Sequence, residues 1–369
     1  MTATLRVVLD QIAAPTEPVL AEASRDLTEA LIAAAPRGCE VAGIAPAGGD
    51  VAAIDGMLGL VHVRRAAVPR RELARAWQMG VTSGLGGGMI HSPTLSAPLV
   101  KHDRVHDHDQ TVVTVWDLRA WEVPGEVPRG SALWQKAMLK RAVKFADAVV
   151  VPTHAFAQRL TEIAPKLTGR VRVIAGAPPS EFAVPVDEVG RRRVLGLPEQ
   201  FVLMSGGDAP SDALAEGFAA LAESGLDLPV VVVDTREGQE PAVVDIAAGA
   251  GVPERRVHVR GALDASDRAA VFAAAAAFVA PAQRTVFPWR VVEALALGVP
   301  IVAAESPVHR DVIVDGGAVV DRDDLGGTLA AVLASDSAAK RWGVLAADRG
   351  RVFSWREAAD KVWALHADL

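Results

Sequence analysis

A single cysteine, Cys39, stands among 369 residues, and there is no tyrosine. A lone cysteine has no intramolecular partner, so no disulfide staples the fold and a reducing compartment is expected. Basic charge is in deficit as well: 38 lysines and arginines face 45 aspartates and glutamates, for a formal net charge of −7. That balance argues against nucleic acid as a partner, which would call for a basic field. No apolar run reaches the roughly 18 residues of a membrane-spanning helix. The opening MTATLRVVLDQ lacks the basic-then-apolar order of a signal peptide, which makes the cytoplasm the expected location.

Half of the residues are apolar and 22% are charged, ample for a packed core and for two domains. LRVVLD (5–10), the helical spacing of 18–35 and CEVAGIA (39–45) make a β-α-β opening. LGLVHVRRA, GMIHSP and TVVTVWD continue the strands, with an amphipathic basic helix at 132–146, and VRVIAG (171–176) closes this half. Residues 177–200 are rich in proline, glycine and charge and poor in periodicity, the composition of a linker. The alternation then restarts with FVLMSGG, DALAEGFAALAES, LPVVVVD, PAVVDIAAGAG, RVHVRG and the Ala-rich VFAAAAAFVA, a buried helix passing into a strand. These patterns predict an α/β protein with an N-terminal Rossmann-like domain over 1–180, a second over 181–352, and a last helix over 353–369 that Ser354 caps.

The stretch 280–321 carries the most information. It predicts a strand end, a loop, a helix from Pro288 to Gly298, a strand IVAA, a further loop holding His309 and Arg310, and a strand. Such a step sets a helix N-terminus at the carboxyl edge of a parallel sheet, where ligands bind in open α/β folds. Its wording, EALALGVPIVAAESPVHRDV, resembles the donor-sugar half of retaining family-4 glycosyltransferases of the actinobacterial mannosyl- or hexosyltransferase type. TVVTVWDLRAWEVP, GMIHSPTLSAP and FVLMSGGDAPSDAL also fit that family's motifs. The resemblance implies a GT-B architecture, two Rossmann-like domains facing across a cleft with the last helix crossing back to the first. It also implies hexosyl transfer with retention from a nucleotide sugar to a cell-surface glycan or lipid-linked acceptor, without metal or other cofactor. The donor residues it implies are Gly206, Gly207, Thr285 and Glu293, with Arg284 and Arg290 flanking; the catalytic candidates are His91, Trp116 and Asp117.

The family pattern is broken at several of these places. The family's Gly-rich first loop is replaced by AAPTEPVLAEAS (13–24), which holds no glycine to let a phosphate approach the backbone. The first of two glutamates falls on Thr285; the second is kept as Glu293. The sugar-facing histidine falls on Trp116, whose indole has one donor and no acceptor; it could stack on a sugar ring or simply fill space. The diphosphate-clamping arginine and lysine fall on Ser211 and Asp212, and each charge-assisted bond so lost is worth about 1.5–3 kcal/mol. Arg284, Arg290, His309 and Arg310 could supply a relocated clamp, or be plain surface charge.

Two other features stand outside the motifs. VKHDRVHDHDQ (100–110) interleaves three histidines with three aspartates, but without zinc-site spacing, so it is expected to be an exposed connector rather than a metal centre. Lys136, Lys140, Arg141 and Lys144 could dock the first domain at the inner face of a membrane, or form a solvated helix face. Two functions follow: a nucleotide-sugar-dependent transferase, or a degenerate homologue serving as binding or scaffold partner of an active glycosyltransferase.

Overall fold

The computed structural model describes residues 2–369, which divide into two compact units. The first comprises the chain up to Gly176, Thr285–Phe287 and Ser354–Leu369; the second comprises Ala177–Arg284 and Pro288–Phe353. The boundary thus falls a few residues before the expected 180, and three residues of the expected donor domain belong to the first unit.

In the first unit, strands β1 (Ala3–Val8), β2 (Cys39–Ala45), β3 (Leu60–Arg65), β4 (Met89–Ser92), β5 (Gln110–Thr114), β6 (Ala148–Val151) and β7 (Val171–Val173) form one sheet. Its order is β3-β2-β1-β4-β5-β6-β7, and every pair is parallel. The second unit repeats the plan with β8 (Phe201–Ser205), β9 (Val230–Val233), β10 (Val257–Val259), β11 (Ala275–Ala280), β12 (Ile301–Ala304) and β13 (Ala318–Val320). Their order is β10-β9-β8-β11-β12-β13, again all parallel. Central strands such as QTVVT and VVVV are buried along their whole length, because a parallel sheet has helices on both faces. This is why they read as unbroken apolar runs.

The helix Ala265–Ala274 passes directly into β11 at Ala275. Thr153 and Ser354 cap their helices by accepting from Phe156 N–H and Glu357 N–H. The C-terminal helix Trp355–Asp368 buries its apolar face in the first unit, where the Trp363 indole donates to the Leu31 carbonyl at 3.0 Å. Among the described residues, no helix is long and apolar enough to cross a membrane.

Two expectations need correction. The segment 177–200 is not bare linker: Glu188–Val194 is a helix, held by Arg191 pairing with Asp187 at 2.9 Å and with Asp267 at 2.8 Å. It buries no residue, so it has no apolar stripe for a periodicity search to find. The loop expected to hold His309 and Arg310 is the helix Pro307–Ile313, with Ser306 capping it and Pro307 in its first turn.

In the second unit the helices Trp289–Ala296 and Asp336–Gly350 approach so closely that backbone meets backbone. A Cβ on Gly350 would lie 2.6 Å from the Leu295 carbonyl oxygen, whereas one on Gly327 would meet nothing within 4 Å. Gly350→Ala should therefore cost ~1–3 kcal/mol by overpacking, while Gly327→Ala should be neutral or gain up to ~1 kcal/mol from helix propensity. Urea melts of the two variants beside the parent check this; equal midpoints would refute the close approach.

Candidate functional site

At the carboxyl edge of the second sheet, four short segments bring charged groups together: the turn after β8, the turn after β9, the segment after β11, and the helix Trp289–Ala296. Glu293 lies on that helix at 2% exposure, and Arg268, at 1%, reaches it from the neighbouring helix Ala265–Ala274. Glu293 Oε1 accepts from Arg290 Nη1 at 2.7 Å and from Arg268 Nε at 3.1 Å. Arg290 also grips Asp234 with two nitrogens, Nε to Oδ2 at 2.7 Å and Nη2 to Oδ1 at 2.9 Å. Glu293 Oε2 is buried and accepts no hydrogen bond. Burial pushes the Glu293 carboxyl above its ordinary value, while Arg290 and Arg268 pull it back down.

The turn after β8 holds a second pair. Asp212 Oδ2 accepts from the Gly207 N–H at 2.7 Å, and Arg284 Nη1 pairs with Asp212 Oδ1. Gly206 has φ +142, and a Cβ there would come within 3.0 Å of the Asp212 side chain, so glycine is what lets the carboxylate lie on this backbone. Among the described residues six non-glycines have positive φ, and two lie at this edge: Ala213 at 53°, directly after Asp212, and Asp234 at 67°, in the turn after β9. Holding such residues left-handed costs about 1–2 kcal/mol each, and strain of this kind tends to collect at functional sites.

Arg290 is thus no loose phosphate clamp, as the sequence allowed; its nitrogens are committed to Asp234 and Glu293. His309 is buried, with Nδ1 against the Ala304 carbonyl at 2.7 Å, and Arg310 pairs with Glu305. Neither offers a relocated clamp. Arg284 faces the turn after β8, the one cation of that set in place to meet an anion there.

The first unit holds the other candidates. Trp116 is buried, its indole N–H donates to the Pro93 carbonyl at 2.8 Å, and its ring packs on Phe287 at 5.6 Å between centroids. It fills space and has no donor left for a sugar, which corrects its candidacy as a catalytic group. Asp117 accepts from the Arg119 N–H at 2.7 Å and pairs with its guanidinium. His91 is fully buried, with Nδ1 3.4 Å from His366 Nε2, and burial holds it well below its ordinary pKa. A neutral histidine enclosed in the core is not placed to touch a substrate. Thr285 meets Glu122, which accepts from the Thr285 hydroxyl at 2.8 Å and from its N–H at 3.2 Å. A carboxylate therefore does stand at position 285, supplied by another segment. Glu122, Asp234 and Arg268 carried no signal in their own stretches; each is defined by a partner far along the chain.

The histidines of 100–110 are engaged locally: His102 lies 2.9 Å from Asp147, and His106 lies 2.8 Å from Asp103. Among the described residues no cluster of His, Cys, Asp and Glu could hold a metal ion. Arg141, placed with the basic helix face, instead turns inward to the Leu99 carbonyl.

The fold and the second unit's edge can now be set against known proteins. The model of the family described as glycosyl transferases group 1 matches residues 208–335, which span Asp212, Asp234, Arg268, Arg284, Arg290 and Glu293. No curated protein matches the sequence. Among solved structures, the chain is similar to sucrose-phosphate synthase from Thermosynechococcus elongatus, at 18% identity and TM-score 0.71 over 99% of this chain and 98% of that one. It is similar also to HepE of Anabaena in complex with UDP and glucose, at 16% identity and TM-score 0.72 over all of both chains. WaaG, a glycosyltransferase involved in lipopolysaccharide biosynthesis, follows at 15% identity and TM-score 0.66, covering 97% of this chain and 98% of that one. The fold is the GT-B fold, and residues 208–335 match the model of group 1 glycosyl transferases.

Two measurements follow from the buried charges. Glu293→Ala would leave Arg268 and Arg290 without their shared carboxylate, and breaking a buried pair costs ~3–5 kcal/mol; a loss under about 1 kcal/mol in chemical denaturation would contradict the network. The histidine pair predicts acid sensitivity. His366 is pushed down to about 4 by burial, from an ordinary 6.5, so folding favours its neutral form. That contribution is complete above the unfolded value and is lost as pH falls from about 6.5 through about 4. Unfolding free energy should fall on acidification across this window, and His366→Gln should flatten the slope. A parent and variant with parallel profiles would remove His366 as the cause.

Proposed function

We propose that the protein transfers a hexosyl group, with retention, from a nucleoside-diphosphate sugar to a glycan or glycolipid acceptor, using no metal. The observation that carries this reading is the state of Glu293: two arginines hold Oε1, so that Oε2 is fixed, buried and without a partner. A buried carboxylate oxygen without a partner is suited to accept from the paired hydroxyls of a ribose once the side chains that cover it move aside. The Anabaena structures contain UDP or UDP-glucose, which makes a uridine nucleotide the first donor to try. Arg284, beside the Gly207 N–H, is the group placed to meet the diphosphate, where negative charge develops as the leaving group departs and electrostatic stabilisation matters most.

A second reading draws on Asp212. Its carboxylate already takes the N–H and the guanidinium that a phosphate would use, and adds a like charge nearby. If that seat stays shut, the protein is a binding partner of an active glycosyltransferase rather than a transferase itself.

Titration of the parent, Asp212→Ser and Arg284→Ala with UDP, UDP-glucose and a GDP-sugar separates the two. A donor at 100-fold its dissociation constant should stabilise the fold by ~2.7 kcal/mol. The transferase reading expects a thermal shift in the parent, at least tenfold weaker binding in Arg284→Ala, and tighter binding in Asp212→Ser. Binding by Asp212→Ser alone favours the partner reading. No shift in any of the three at millimolar ligand would overturn the proposal.

A further inference from the structure

The amino ends of β5, β6 and β7 surround a cavity of about 610 Å³ in the first unit. It lies at the edge opposite Trp116 and Asp117, which follow the carboxyl end of β5. Its volume falls within the several hundred Å³ usual for small-molecule sites. Five permanent cations line it: Lys101, Arg104, Lys144, Arg170 and Arg172. Two acidic side chains share the lining, Asp147 and Asp368, together with the carboxylate-bearing residue Leu369. Asp147 is turned inward, accepting from the Thr111 N–H at 2.7 Å and contacting His102 Nε2 at 2.9 Å.

Arg104 interacts with Asp147 and Lys101 with Asp103, whereas the other three cations are held by neutral groups. Arg170 donates to three carbonyls, Ala146 at 2.6 Å, Val143 at 2.6 Å and Lys166 at 3.0 Å. Arg172 donates to the carbonyls of Gly169 and Val171. Lys144 stands over the Phe145 ring, 5.0 Å from its centroid. Carbonyls and rings position a cation without neutralising it. Elsewhere arginines of this chain meet carboxylates, as Arg268, Arg284 and Arg290 do. Such a gathering in a chain of net charge −7 makes a local positive field that favours an anion there. Asp147 draws the His102 imidazole above its ordinary pKa, which adds positive charge at the cavity wall towards acid pH.

We propose that this cavity is a binding site for a multiply charged phosphate group, a diphosphate in particular, separate from the donor site of the second unit. Two guanidiniums fixed by carbonyls supply planar donors, and the lysines meet the remaining oxygens as point charges. The same chemistry is met by a soluble diphosphate or by a phospholipid headgroup. An extended nucleic acid does not fit a cavity of this size.

Calorimetric titration of the full chain with pyrophosphate tests the site. The parent should bind it, the double variant Lys101→Glu with Lys144→Glu should bind at least tenfold more weakly, and Arg172→Gln, a milder change, should weaken it severalfold. Arg284→Ala should leave intact the binding that the cavity variants weaken, since that arginine belongs to the second unit. Vesicles of phosphatidylcholine, with or without an equal part of phosphatidic acid, distinguish the source. Sedimentation with the acidic vesicles, reversed by pyrophosphate, assigns a headgroup; pyrophosphate binding without sedimentation assigns a soluble ligand. Absent binding in the parent, binding unchanged in both cavity variants, or binding lost only in Arg284→Ala would overturn the proposal.

Discussion

The charged edge of the second sheet depends on one arrangement: a glutamate buried in the second turn of a helix and gripped on one oxygen by two arginines. An isolated carboxylate at 2% exposure would be prohibitively costly. Arg268, itself almost wholly buried, makes it tolerable. Arg290 then needs its own counter-charge, which Asp234 provides from the turn after β9. The left-handed backbone at Asp234 follows from this chain of requirements, since the turn must present that carboxylate to a guanidinium on another element. Packing alone would have favoured apolar residues at Arg268 and Glu293.

The fold was largely legible in the sequence for a simple physical reason. Strands covered on both faces must be apolar throughout, so FVLMS, VVVV and IVAA announce a parallel sheet. Helix caps are local chemistry and read equally well, as Thr153 and Ser354 show. The helix Glu188–Val194 escaped because it buries nothing, and Pro307–Ile313 because its seven residues are too few for a clear period. In the second case the signal was present, a serine cap followed by a proline, and was outweighed by the expectation of a loop.

The site was legible in part, and the division has a cause. Glu293 and the glycines of the β8 turn stand in local patterns that a sequence displays. Their partners do not. Arg268 lies 25 positions from Glu293, Asp234 lies 56 from Arg290, and Glu122 lies 163 from Thr285. An arginine within DRAAVF or a glutamate within LRAWEVP looks like ordinary surface charge until the fold supplies its partner. Trp116 shows the converse: its place in a motif suggested a ligand-facing ring, yet the indole is occupied by Pro93 and Phe287.

The substitutions at Ser211 and Asp212 therefore differ in kind from the one at Thr285. At Thr285 a carboxylate is restored by Glu122, so the local charge is kept while its source changes. At Asp212 the charge is inverted, and Arg284 answers it across the turn. A phosphate entering this turn has to exchange places with a carboxylate that holds the same N–H and the same guanidinium. Release of Asp212 would free Arg284 for an incoming anion. The inverted charge at position 212 thus sets a competition at the seat instead of simply abolishing it.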